Sequence, residues 1–207
     1  MSVHWEKRYQ AGHHPWDKGQ PAPPLVEALQ TLRPTGRILV PGCGKGHDAR
    51  ALAGPGNQVW GVDLAPSAVQ AARQQTRPGG SLAFHQGDVL NQTPGDLGRF
   101  DWIVEHTCFC AIPPRERSHY VRQMAHLLRP GGCLLGIFFL YPPAVSGPPF
   151  GALPQEVDQL FRPFFHLERR WSPGTSFAGR EGAEEVRLYR RPTAFLSPHY
   201  RSCAKLR

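Results

Sequence analysis

The chain has 207 residues, 40% apolar and 19% charged, which suits one soluble domain with a sizeable core and leaves little room for a second. The formal net charge is +8, but the Lys and Arg residues are scattered, thicken only at Arg187, Arg190, Arg191, Arg201, Lys205 and Arg207, and never form a run of five like charges, so a dedicated nucleic-acid surface is not expected. No stretch approaches about 18 unbroken apolar residues, and the first eight residues lack an apolar signal core, so a membrane span and an export signal are both unexpected and the cytoplasm is the expected compartment.

Residues 1–24 are polar with interspersed aromatics and prolines, "HWEKRY" and then "HHPWDKGQPAPP", and read as a short helix followed by an extended arm. "LVEALQTL" places Leu25, Val26, Ala28, Leu29 and Leu32 at helical spacing and stops before Pro34 and Gly36. "RILVPG" reads as a buried strand, "HDARALAG" as a short helix closed by Gly54, and "QVWGVD" as a second strand. "LAPSAVQAARQQTRPGG" is a helix ended by its Pro-Gly-Gly turn, "SLAFHQGDV" a third strand and "FDWIVEHTCFCAI" a fourth. The helix "PPRERSHYVRQMAHLLRPGG" leads into "CLLGIFFLY", a fifth strand that is apolar on both faces. Beyond Tyr141 come a proline-rich loop, a helix "LPQEVDQLFRPFF", a strand "HLERRWS", a turn region "TSFAGREGAEE" and a last strand "VRLYRRP".

Alternating strands and helices with near-continuous apolar strands predict an α/β fold: a doubly wound, mostly parallel seven-stranded sheet with helices on both faces and an antiparallel closing strand. No repeat or boundary divides it, so residues 1–195 are expected to form a single domain with an N-terminal lid arm (1–24), and residues 196–207 a flexible tail. The five cysteines (43, 108, 110, 133 and 203) are expected as reduced thiols. Cys108-Phe109-Cys110 on a strand would supply two thiols on one face without further ligands, so no metal site is expected.

Gly42, Gly44 and Gly46 follow the first strand and precede a helix, which places a glycine-rich loop at the carboxyl edge of the sheet, where ligands bind in such folds. The loop lacks the Lys-Ser/Thr ending of a nucleoside triphosphate site, and its G-x-G-x-G spacing differs from the G-x-G-x-x-G of dinucleotide sites. Asp63 ends the second strand, where an acid accepts hydrogen bonds from ribose hydroxyls. Asp88 ends the third, where an acid suits an exocyclic amine. Each residue alone has a plainer reading, Asp63 as a helix cap and Asp88 as a turn residue. The ordered set of glycine loop, acid and acid points to a nucleoside-containing ligand.

The series "LVPGCGKGHDA", "VWGVDLAPSAV", "HQGDV" and "LLRPGGCLL" resembles a Rossmann-like class I methyltransferase that uses S-adenosylmethionine. More closely, "WEKRY", "PWDKGQPAP", "VPGCGKGHD", "FDWIVEHTCFCAIPPRER" and "GPPF" resemble the thiopurine S-methyltransferase family, and within it the halide and thiol methyltransferases, from Trp5 to Arg191. The resemblance implies S-adenosylmethionine as cofactor and S-adenosylhomocysteine as product. It implies that Gly42, Gly44 and Gly46 pass the methionine part, with Cys43 among them. Asp63 and Leu64 would hold the ribose side, Asp88 and Val89 the adenine. Trp5 and Trp16 would fold over the cofactor, with Glu105 and His106 touching it after the fourth strand. His106 stands where the halide enzymes have tyrosine, and Phe150 likewise replaces a tyrosine.

The acceptor implied is a small nucleophile: a thiol, chalcogen compound, thiocyanate or halide. Its pocket is expected from Cys108, Phe109, Ile112, Phe139, Tyr141, Pro149 and Phe150, apolar walls that strip water from an anion. A thiol is partly ionised near neutrality, so no strong base is required, and His106 or Glu105 is the first candidate if one is. The expected partner is therefore a small molecule, with no nucleic acid or membrane, and the expected state is a monomer or weak dimer. The alternatives are methylation of RNA or protein, against which Glu105-His106-Thr107-Cys108 replaces any amine-binding "NPPY"-like motif, and a non-catalytic cofactor-binding module.

Overall fold

Seven strands hydrogen-bond side by side in a computed structural model that describes residues 4–77, 80–141 and 147–193. They are β1 (Gly36–Pro41), β2 (Asn57–Asp63), β3 (Leu82–Gln86), β4 (Phe100–His106), β5 (Leu128–Phe139), β6 (His166–Trp171) and β7 (Glu184–Arg190), in the order β3-β2-β1-β4-β5-β7-β6. All neighbouring pairs from β3 across to β5 are parallel, and β7 alone runs against its neighbours β5 and β6. The chain order reverses between β1 and β4, which opens a crevice at the carboxyl edge of the sheet.

Successive strand side chains point to opposite faces, and the core divides accordingly. Leu39, Ile103 and Leu134 pack on one face with α6 (Arg117–Leu127) and α7 (Pro154–Phe161). Ile38, Val40, Val104 and Leu135 pack on the other with α2 (Pro23–Thr31), α3 (His47–Leu52) and α4 (Pro66–Gln74). Helices α1 (Trp5–Gln10) and α5 (Pro94–Leu97) are short, and α5 carries a reciprocal cap between Thr93 and Asp96.

Three elements differ from expectation. The fourth strand stops at His106, because Thr107 takes φ 63° and Phe109–Ala111 wind into a 3-10 turn. Cys108 and Cys110 therefore do not sit on a strand face. The long helix starts only at Arg117, after a separate 3-10 turn at Pro114–Glu116. Its expected Pro-Gly-Gly terminator joins β5 instead, where Gly131 donates to the Arg191 carbonyl and Arg191 donates to that of Gly132. The four described cysteines are free, no group of three or more His, Cys, Asp or Glu among the described residues is placed to hold a metal, and no described helix is long and apolar enough to cross a membrane. The tail at 196–207 and Cys203 lie outside the described residues.

Candidate active site

The loop after β1 turns sharply at the crevice. Gly42 and Gly44 take φ of 58° and 53°, a region that side chains rarely adopt. A Cβ on Gly42 would stand 2.9 Å from Cys108 Sγ, and one on Gly44 would stand 3.1 Å from the Tyr9 hydroxyl. The bare backbone thus lets the arm and the post-β4 turn close in from both sides. Gly46 lies one step further on, as the residue preceding α3.

At the tip of β2, Asp63 accepts Gly44 N at 2.8 Å through Oδ2 and Ala65 N at 2.9 Å through Oδ1. Each oxygen keeps a lone pair for a ligand. Burial lifts its carboxyl above the ordinary range, although these amides pull the other way. Asp88, past the tip of β3, accepts Leu90 N at 3.0 Å and Asn91 Nδ2 at 2.8 Å, so it organises its own turn as well as facing the crevice.

The N-terminal arm crosses the opening. Trp5 and Trp16 meet edge to face at 5.3 Å, Arg8 lies over both rings, and Trp16 Nε1 donates to the Tyr9 hydroxyl at 3.2 Å. Burial raises the Tyr9 phenol far above its ordinary range, so it stays neutral. Glu6 ties the arm down by accepting Ser67 N at 3.0 Å and Ser67 Oγ at 2.6 Å at the start of α4. Asp17 pairs with Lys45 at 2.8 Å and His47 at 3.1 Å on the glycine-loop side.

Beneath the arm lies a cleft with about 970 Å³ of empty space, part of it open to solvent. Among the expected cofactor residues, Trp5, Trp16, Gly42, Asp63, Leu64, Asp88 and Val89 line it. Leu64 is 49% exposed there, an apolar side chain without cover. Cys43, Gly44 and His106 line a smaller adjoining pocket with Asp48 and Phe177.

The expected acceptor residues divide. Cys108, Ile112, Phe139 and Pro149 line the cleft, together with Cys110 and Pro148. Burial pushes both thiols up, Cys110 to about 12, so these walls are uncharged. Phe109 turns away, 2% exposed, into an aromatic cluster with Phe138 and Phe161, because the 3-10 turn rotates it towards the core. Tyr141 and Phe150 do not line the cleft; Tyr141 donates to the Pro149 carbonyl at 2.6 Å and Phe150 N to that of Cys110 at 2.6 Å.

Glu105 is fully buried below the cleft. Its Oε1 accepts Phe109 N at 2.7 Å, and its Oε2 has no partner. Burial dominates and raises the carboxyl from 4.5 to about 7, against the lowering effect of the Phe109 amide. The native state then keeps a proton that the unfolded chain releases, so stability present in acid is lost as pH rises from 4.5 to about 7. The loss is at most on the order of 3 kcal/mol. Glu105→Gln is expected to flatten this part of the melting-temperature profile against pH, and an unchanged slope would refute the assignment.

Arg180 was not anticipated from sequence. It comes from the β6–β7 connection, lines the cleft, and lies 5.4 Å over the Phe139 ring. Its Nη1 stands 3.3 Å from Glu184 Oε1 and 3.2 Å from His106 Nε2. His106 Nδ1 in turn meets Asp48 Oδ2 at 2.8 Å, and Asp48 Oδ1 accepts Ala22 N at 2.7 Å. The only available signal was a lone cation between glycines in a turn at the sheet's carboxyl edge. Arg8, Tyr9, Thr107 and Ala111 also line the cleft without having been anticipated.

The cleft residues fit S-adenosylmethionine: a carboxylate with free lone pairs at the ribose position, an uncovered leucine beside it, and a loop whose glycines leave room for close approach. Fold and site together are those of a class I S-adenosylmethionine-dependent methyltransferase. The chain belongs to the thiopurine S-methyltransferase family, whose model matches residues 2–179. It is 32% identical to probable thiol methyltransferase 2 of Arabidopsis thaliana over 93% of this chain and 87% of that protein. It is likewise 32% identical to thiocyanate methyltransferase 1 of Brassica oleracea, over 88% and 82%. The fold is shared with 1,6-didemethyltoxoflavin-N1-methyltransferase of Burkholderia thailandensis, solved with bound S-adenosylhomocysteine, at a TM-score of 0.68 and 21% identity over 90% of this chain and 84% of that one.

Proposed function

We propose that the protein methylates small, polarisable anions, namely thiolates, thiocyanate and heavier halides, in the cytoplasm, as a monomer or weak dimer and without nucleic acid. The observation that carries the reading is the acceptor half of the cleft, where uncharged walls from Cys108, Ile112, Phe139 and Pro149 meet the Arg180 guanidinium.

When bound, S-adenosylmethionine supplies a methyl group on a cationic sulfur, which an acceptor's electron pair displaces to leave S-adenosylhomocysteine. Asp63 would accept the ribose hydroxyls, and Asp88 with Val89 would meet the adenine. Trp5 and Trp16, on the arm, would close over the bound molecule as a lid. The apolar walls strip water from the acceptor, which favours a step in which opposite charges disappear. Arg180 offers N–H donors to an anion, and holding the acceptor in line supplies much of the rate gain.

Release of S-adenosylhomocysteine is the test, with iodide, thiocyanate, hydrosulfide, an aromatic thiol and a short RNA as acceptors. Turnover is expected on the small anions and not on the RNA. Turnover on the RNA alone, or cofactor binding with no turnover on any acceptor, would overturn the proposal.

A further inference from the structure

Arg180 reaches the cleft as the last member of a chain of contacts that begins at a backbone amide. Ala22 N donates to Asp48 Oδ1, Asp48 Oδ2 meets His106 Nδ1, and His106 Nε2 meets Arg180 Nη1 at 3.2 Å. A guanidinium has donors and no acceptor. The contact is a hydrogen bond when the lone pair is on His106 Nε2, which puts the imidazole proton on Nδ1, facing the Asp48 carboxylate. The Asp48 carboxyl, held below the usual range, accepts from both the Ala22 amide and the His106 ring. In that arrangement Arg180 occupies the one lone pair that His106 could offer as a base.

We propose that Asp48 and His106 are positioning residues that present Arg180 to the acceptor anion, and that protonation of His106 withdraws it. This rests on the reading of the cleft as an anion-acceptor site. The groups facing the imidazole support the second half. Asp48 on α3 holds Nδ1, while Arg180 and the buried Glu184 Oε1 face Nε2 at 3.2 and 3.8 Å. On its own strand Glu105 adjoins it, His47 lies near Asp48, and Phe177 packs 6.4 Å from its ring. Adding a proton to Nε2 turns an acceptor into a donor. It sets two cations 3.2 Å apart and makes His106 a competitor for Glu184, the carboxylate that also steadies Arg180. The affinity for an anionic acceptor then falls in acid, although the acceptor itself does not titrate.

Thiocyanate is the probe, because it stays an anion across the range. With ionic strength fixed, its KM and kcat are measured between about pH 5 and about pH 8. In the wild type KM is expected to rise roughly tenfold on the acid side, with kcat at saturation little changed. His106→Gln keeps a carbonyl acceptor for Arg180 and removes the ring that can take up a proton, so its KM is expected to lose the acid rise and be flat with pH. Asp48→Asn must keep its amide oxygen on Ala22 N, which turns the NH₂ towards His106 Nδ1 and forces the proton to Nε2. Its KM is expected to be raised roughly tenfold at every pH.

Titration of S-adenosylhomocysteine into each variant separates acceptor effects from cofactor effects. The ring tautomer is read directly, without any acceptor, from ¹⁵N shifts of labelled histidine, and is expected to be Nδ1–H in the wild type. The inference is overturned by an Nε2–H ring in the wild type, by a persisting acid rise of KM in His106→Gln, or by an unchanged KM in Asp48→Asn. If the wild type turns over no small anion, the proposed function fails, and the tautomer measurement alone then decides the Asp48–His106–Arg180 arrangement.

Discussion

Asp63→Ala is expected to weaken S-adenosylmethionine binding by at least about 100-fold. The substitution removes the acceptor proposed for two ribose hydroxyls, and two hydrogen bonds to a charged group are together worth about 3 to 6 kcal/mol. It also strands Gly44 N and Ala65 N, which the carboxylate now accepts at 2.8 and 2.9 Å. The glycine loop loses one tie to β2 at the same stroke and keeps the Cys43 N bond to the Val62 carbonyl at 3.1 Å. Asp63→Asn retains the shape and one good acceptor, so it is expected to fall between alanine and the wild type. Calorimetric titration with S-adenosylhomocysteine measures all three proteins, and circular dichroism checks that each is folded. An alanine variant that binds as tightly as the wild type would remove Asp63 from the cofactor site.

The second large effect falls on stability. Arg117 is fully buried at the start of α6, and its guanidinium lies 4.7 Å over the Phe109 ring. It donates to the Gly151 carbonyl at 3.0 Å, to the Phe150 carbonyl at 2.8 Å and to Glu156 Oε1 at 2.7 Å. These bonds seat the segment that carries Pro148 and Pro149 against the cleft. Arg117→Met fills similar space with no donor, leaving two carbonyls and a carboxylate without their partner. Stranding the two carbonyls costs about 2 to 5 kcal/mol, while Glu156, a third exposed, can turn to water. Urea unfolding is expected to show that loss as a lower midpoint at unchanged slope, with a raised acceptor KM in the protein that remains folded. A loss below about 1 kcal/mol would show that the segment is held from elsewhere.

Much of this was legible in the sequence. Near-continuous apolar strands alternating with helices specify a covered parallel sheet, since only burial on both faces tolerates that pattern. The glycine loop, Asp63 and Asp88 could be placed because each sits at a strand end, the position that the sheet brings to the crevice. The errors have local causes. Nothing in "EHTCFCAI" marks the positive φ at Thr107, a conformation that apolar pattern cannot report, so the sequence places Phe109 in the pocket while the structure buries it in the core. The resemblance implies that Glu105 touches the cofactor, whereas strand alternation sends it into the core, on the face opposite to His106, which lines the adjoining pocket. Arg180 was missed because its importance lies in contacts 74 residues away in sequence, with His106.

On the proposed reading, the strand order assigns the two halves of the reaction to different parts of the chain. Glycine loop, Asp63 and Asp88 follow β1, β2 and β3, on one side of the reversal, while Cys108, Phe139, Pro149 and Arg180 belong to β4, β5 and the connections on the other. Changes of residue or length in the β6–β7 connection can therefore alter what is methylated while the donor site is left as it stands. A scaffold partitioned in this way can diversify its acceptors by drift in a few exposed turns, without passing through forms that no longer bind the methyl donor.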